Sequence, residues 1–256
     1  MQATPTRAQA LVDNLCAVVS KINAVASPSH PVRLVAVSKL KPASDVLALY
    51  KETGHRHMGE NYVQELLDKA RSLPRDIDWH FIGQLQSNKC RKLAEEIPNL
   101  WAVESVDTAK KADGLEKGRA ALVAASPEAP KLRVYVQVNT SGEASKSGCD
   151  PSEALPIARH IREACPNLQL QGLMTIGSIA NSWARGKENQ DFLLLKETAL
   201  AVENELGIKL ELSMGMSSDF EQAIQLGATN VRVGTAIFGE RPSKRDAKAP
   251  ENSRKA

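Results

Sequence analysis

Apolar residues recur at two different periods along this chain, and the switching between them predicts its architecture. Leu11, Leu15, Val18, Ile22 and Val25 fall at helical spacing, which gives an amphipathic first helix at about residues 6–26, ending before Ser27-Pro28. Short runs rich in strand-forming residues then appear at 32–39, 55–60, 78–83, 100–106, 132–139, 168–176, 209–215 and 230–235. Helical stretches fill the gaps. Pro42 suits a first helical turn, and Asp150-Pro151-Ser152-Glu153 combines an N-cap, a first-turn proline and a capping-box glutamate. Ser218 and Glu221 offer the same box again, while Gly54 and Gly227 mark helix ends.

Eight strands, each followed by a helix, in a chain of 256 residues predict an α/β protein: a single (β/α)8 TIM barrel with an extra N-terminal helix. An open doubly wound sheet would carry a glycine-rich turn after its first strand. The residues there are Ser38-Lys39-Leu40-Lys41-Pro42, without a glycine. No composition break divides the chain, so one domain is expected over 1–242. Residues 243–256 hold Lys244, Arg245, Lys248, Arg254 and Lys255 against Asp246 and Glu251, with no apolar period, and read as a disordered basic tail.

Composition narrows the class. Hydrophobic residues at 42% and charged residues at 25% give a soluble globular balance, and a core of this size needs no disulfide staples. Cys16, Cys90, Cys149 and Cys165 form no C-x-x-C pair, which argues against zinc and for reduced thiols in the cytoplasm. A net charge of +3 is too small to indicate nucleic acid. Nothing reads as a membrane span or a secretory leader. The early segment carries Arg7 alone and no acidic residue before Asp13, which leaves a mitochondrial pool open.

In a barrel, chemistry gathers at the C-terminal ends of the strands. Lys39 closes the first strand there, after Val32 to Ser38. A lysine that loses part of its hydration at such a mouth is a nucleophilic amine, suited to a Schiff base with an aldehyde. The eighth strand ends Arg232-Val233-Gly234-Thr235 and the seventh ends Ser213-Met214-Gly215-Met216-Ser217. Gly234 permits close approach of an anion, and Thr235 and Ser217 offer hydroxyls to it. Ser217 or Ser218 would also cap the next helix. Strand alternation points Arg232 at the barrel axis, where it either pairs with a carboxylate such as Glu60 or donates to a ligand. Asn61 offers a hydrogen bond and Met174 an apolar surface for a ring. His57 and His80 make no metal-ligand spacing with any cysteine, so no metal is expected.

The segments Val37-Ser38-Lys39, Gly59-Glu60-Asn61-Tyr62-Val63-Gln64-Glu65, His80-Phe81-Ile82-Gly83, Gly172 to Gly177, Ser213 to Ser217 and Val231 to Thr235 resemble the pyridoxal phosphate homeostasis proteins. The resemblance runs from about Val32 to Arg241. It implies a barrel like the N-terminal domain of alanine racemase, of fold type III among enzymes of pyridoxal 5′-phosphate (PLP), without that enzyme's β-rich second domain. It further implies PLP held on Lys39, a phosphate cradle of Ser217, Gly234 and Thr235 with Ser213 nearby, Arg232 facing the pyridine nitrogen, and Asn61 lining the cofactor.

An arginine cannot take a carboxylate's place in keeping the pyridine nitrogen protonated, which weakens carbanion chemistry. With no opposite-face acid from a second domain, the expectation is a non-catalytic, monomeric PLP carrier that passes cofactor to apo PLP-dependent enzymes. Two rivals stand beside it: a PLP-dependent racemase or lyase using Lys39 as its base, and an aldolase-like barrel in which Lys39 attacks a sugar-phosphate carbonyl. Lys146, in the polar loop after the fifth strand, is a candidate acceptor of PLP from Lys39 during release, or a solvated loop lysine.

Overall fold

Strands buried on both faces read as near-continuous apolar runs, and they form a parallel sheet only when helices cover the outside. A computed structural model describes residues 2–143, 146–178 and 188–240. The predicted tail at 243–256 lies outside the described residues. The first helix, α1 (Pro5–Val25), precedes β1 (Arg33–Val37), α2 (Ala43–Thr53), β2 (His57–Glu60), α3 (Val63–Ser72), β3 (Asp78–Phe81) and α4 (Ser87–Glu96). Next come β4 (Leu100–Val106), α5 (Ala109–Ala125), β5 (Leu132–Gln137), α6 (Ala154–Ala164) and β6 (Leu168–Met174). The described chain finishes with α7 (Gln190–Leu206), β7 (Glu211–Ser213), α8 (Phe220–Gln225), β8 (Asn230–Val233) and α9 (Thr235–Phe238).

The strands close in chain order into one parallel barrel, with β1 paired to both β2 and β8. The outward residues Leu34, Ala36, Met58, Trp79 and Phe81 join the core shared with the helices. Helix α1 buries Leu11, Leu15, Val18 and Ile22, as its spacing predicts, and packs on α2, α8 and α9. Polar ties fix it there: Arg7 Nη2 donates to Asp45 Oδ2 at 2.6 Å and to the Phe238 carbonyl at 2.9 Å. Arg7 is thus part of the barrel's closure at the end of β8.

Helix boundaries follow local chemistry with two corrections. Asp150 forms the expected capping box with Glu153, and Gly54 ends α2 in the left-handed conformation. Pro42 lies one position earlier than expected, at the N-cap of α2. The Ser218/Glu221 box does not form. Asp219, one residue on, takes the N-cap of α8, and its Oδ1 accepts from the Met216 N–H in the preceding turn at 2.6 Å.

The interior departs from the branched aliphatic layers usual in such barrels. Glu104 on β4 bonds to Ser213 on β7 and Asn230 on β8, a reach that only the barrel's inside allows. His80, Glu104, Ser213, Asn230 and Arg232 are all buried. They form one hydrogen-bonded column that continues through His57, whose Nδ1 lies 3.0 Å from His80 Nε2. Below it, Trp101 stacks on His80 at 4.7 Å between ring centroids, with the Arg33 guanidinium over its face.

Candidate cofactor site

The strand end that carries Lys39 is held from behind. Ser38 is fully buried and its Oγ donates to Glu60 Oε1 at 2.6 Å. Lys69, from α3, donates to the Ser38 carbonyl at 2.8 Å, to Glu60 at 2.6 Å and to Glu65 at 2.7 Å. All three ammonium hydrogens therefore have acceptors. Glu65 also accepts from the Leu40 N–H at 2.8 Å. Leu40 adopts φ 61, a left-handed conformation that costs an L-residue about 1–2 kcal/mol. The turn that aims Lys39 is thus strained locally and secured by buried charge.

Glu60 shows the electrostatic cost. Burial pushes its carboxyl up to about 7, with Glu65 adding to the rise while Lys69 and Ser38 pull the other way. Its Oε2 is buried without a hydrogen-bond partner among the described residues.

A cavity of about 510 Å³ opens at this end of the barrel. Lys39, Asn61, Ser217, Arg232, Gly234 and Thr235 line it, so six of the seven residues singled out in the sequence converge on one space. Val37, Ile82, Ile176, Met216 and Phe238 supply apolar wall. Ser217 Oγ accepts from the backbone N–H of Gly234 at 3.3 Å and of Ala236 at 3.4 Å, joining the loop after β7 to the start of α9. A Cβ on Gly234 would sit 3.3 Å from the Val37 carbonyl oxygen, a tight contact. Asn61 Oδ1 is buried with no hydrogen-bond partner among the described residues.

Arg232 is 4% exposed and reaches the cavity with two of its nitrogens anchored. Nη1 donates to Ser213 Oγ at 2.6 Å and Nη2 to the Thr175 carbonyl at 2.8 Å. Burial lowers its pKa, and Glu104 is the foremost charge opposing that fall. Of the two alternatives read from the sequence, the pairing with Glu60 is not what forms: Arg232 bonds to Ser213 and Thr175, while Glu60 Oε1 takes Lys69 and Ser38.

Ser213 is the exception among the candidates. It lies wholly buried behind Arg232, bonded to Glu104 and Asn230, and does not line the cavity. The alternation of β7 turns it inward one layer below the mouth. Met174 likewise packs in the interior with Ala102 and Tyr135, and Ile176 stands at the cavity in its stead. Lys146 Nζ donates to Glu143 Oε1 and to the Gly177 carbonyl, both at 2.8 Å, outside the cavity lining.

Sequence reasoning missed Lys41. It lines the cavity, donates to the Glu240 carbonyl at 2.5 Å, and has its pKa lowered by burial and by Arg7. Its signal was available, two residues after Lys39 and on the far side of the same turn. Away from the cavity, Asp113, His160 and Cys165 bring potential metal ligands within 4.8 Å of one another, among which His160 Nε2 and Asp113 Oδ1 are hydrogen-bonded at 2.7 Å.

A closed parallel barrel with a lysine in the turn just after β1 and a polar mouth at the ends of β7 and β8 defines an alanine-racemase-type barrel. A family model described as alanine racemase, N-terminal domain, matches residues 12–242. The chain belongs to the family of pyridoxal phosphate homeostasis proteins. It is similar to the protein of that name from Schizosaccharomyces pombe, 48% identical over 214 residues that cover 84% of this chain and 86% of the relative. The human protein of the same name is 48% identical over 227 residues, 84% and 78% of the two chains. Among solved structures, PipY of Synechococcus elongatus with PLP bound superposes with a TM-score of 0.72 at 32% identity, covering 90% of this chain and all (100%) of that one.

Proposed function

We propose that this chain binds PLP in the cavity at the end of the barrel and serves cofactor homeostasis as a reversible carrier. The observation that carries the reading is the convergence of Lys39, Asn61, Ser217, Arg232, Gly234 and Thr235 on one space. The names of the relatives and the PLP held by PipY support it.

The residues fit the group. The Lys39 amine would attack the aldehyde carbon and form a Schiff base with loss of water. Ser217 and the N–H groups at Gly234 and Ala236 would receive the phosphate, and the apolar side chains would flank the ring. The unpartnered Asn61 oxygen suits a ligand hydroxyl. Arg232 would face the ring nitrogen as a donor that keeps its own proton. PLP supplies an electrophilic aldehyde and an electron-withdrawing ring, and a ring nitrogen left unprotonated weakens the second of these. That argues for storage over catalysis.

The same reading takes the protein as a cytoplasmic monomer that loads apo PLP-dependent enzymes. Four cysteines that are all free thiols suit a reducing compartment. No described helix is long and apolar enough to cross a membrane.

An absorption spectrum with PLP for the wild type and Lys39→Ala, followed by borohydride reduction and peptide mapping, tests the site. A reduced adduct on a lysine other than Lys39 overturns it. The racemase or lyase alternative, which the alanine racemase match keeps in view, predicts exchange of an amino acid's α-hydrogen in deuterated water. Exchange at an ordinary enzymatic rate would overturn the carrier reading.

A further inference from the structure

Glu104 lies inside the barrel on β4, wholly buried, and does not line the cavity. A carboxylate stripped of water needs compensation from every side. It accepts from Ser213 Oγ at 2.5 Å, His80 Nδ1 at 2.7 Å and Asn230 Nδ2 at 3.2 Å. Arg33 on β1 and Tyr135 on β5 also feel its charge. Burial alone would raise its pKa. The His80 bond and charge, then Arg232 and Ser213, outweigh that and hold the carboxyl below the usual value. It is therefore an anion at the centre of the barrel.

Ser213 passes this anion's influence upward. A hydroxyl has one proton and two acceptor sites. Ser213 gives its proton to Glu104 and takes Arg232 Nη1 at 2.6 Å and Asn230 Nδ2 at 3.0 Å. Its capacity is saturated, so it has nothing left to offer a ligand. Arg232 is the one member of this group that also reaches the cavity.

We propose that Glu104 is a positioning residue for the cofactor site, fixing Arg232 through Ser213 and supplying the counter-charge that sets the potential at the bound ring and at the Lys39 nitrogen. The inference rests on the PLP-binding reading. It assigns to a residue with no ligand contact the tuning of a group that has one. Removing the anion leaves the Arg232 charge uncompensated in a dry interior, and a protonated nitrogen on Lys39 becomes harder to hold. The pH midpoint of the visible band of the PLP-loaded protein should then fall.

The experiment uses the full chain as wild type, Glu104→Gln and Ser213→Ala. Each is loaded with PLP labelled with ¹⁵N in the ring, with visible spectra recorded against pH, the ring-nitrogen resonance measured, and the Lys39 adduct mapped. Glu104→Gln should keep the adduct and lower the midpoint by about one pH unit, the scale of one unit charge acting through a partly screened interior. Ser213→Ala, which keeps the charge but cuts the hydrogen-bond path, should move the ring-nitrogen resonance. Lower melting temperatures with unchanged midpoint and resonance would reduce Glu104 to a structural role and overturn the inference. A shift in Glu104→Gln without one in Ser213→Ala would overturn the route through the serine. Failure of the wild type to form the Lys39 adduct would overturn the binding reading itself, and this inference with it.

Discussion

Lys69 Nζ donates to the carbonyl oxygen of Ser38 at 2.8 Å, one residue before the lysine that faces the cavity. A buried ammonium on α3 thus pins the end of β1, and the loop bearing Lys39 is as rigid as the ion pairs beneath it. Lys69→Met should cost about 3 kcal/mol or more, because it strands Glu60 in a dry site. Urea denaturation at pH 8 measures this. PLP uptake should fall as well, since the strand end loses its anchor; a variant with wild-type stability and uptake would refute the account.

The same carboxylate predicts an unusual pH dependence. Glu60 has a folded pKa of about 7 against an ordinary 4.5, so the folded state binds the extra proton in that window. Its contribution is complete below the ordinary value and is lost as pH rises towards 7, by roughly 3 kcal/mol at most. Glu60→Gln should remove that component. The quantity to compare is the change in unfolding free energy between pH 5 and pH 8 in the two proteins, and equal changes would count against it.

Ser217 ties the loop after β7 to α9, where the phosphate is proposed to sit. Ser217→Ala should weaken PLP binding about tenfold, the loss of one hydrogen bond to a charged group. Pyridoxal, which lacks the phosphate, should bind both proteins alike. Equal losses for both ligands would place Ser217 elsewhere in the site.

Leu40 holds a left-handed conformation and is 42% exposed, so limited burial offsets the strain. Leu40→Gly should be neutral to stabilising by about 1 kcal/mol, in contrast to most glycine substitutions. Thermal unfolding decides it. A clear loss of stability would mean that the leucine side chain holds the turn.

Gly83 follows β3 so closely on Asn61 that a Cβ would come within 2.1 Å of the Asn61 carbonyl oxygen. Gly83→Ala should displace Asn61 from the cavity and destabilise the fold by about 2 kcal/mol or more. Soluble expression with unchanged PLP affinity would contradict this.

The barrel was legible because the apolar period changes between helical and strand spacing, and both are local. The convergence of Lys39, Arg232, Gly234 and Thr235 was legible because they stand at strand ends, where a barrel places its mouth. What lay hidden was partnership across the axis. Arg232 faced the interior as expected, yet its neighbours are Ser213 and the Thr175 carbonyl, residues 19 and 57 positions away. Glu104, in the segment Ala102-Val103-Glu104-Ser105, was not singled out, though a charge within an apolar strand was itself the clue. Lys69 was not singled out in the sequence, because its acceptors Ser38 and Glu60 are joined to it only when α3 packs against the barrel.

Strand β7 is three residues long and meets β8 with Ser213 opposite Asn230, so the barrel closes on its thinnest seam beside the cavity. Ser217, Gly234 and Ala236 face one another across that seam. An anion seated there would fasten both edges at once. Occupancy and resistance to unfolding should then rise together by mass action. The amount of this protein that survives in a cell would in that way register how much cofactor surrounds it.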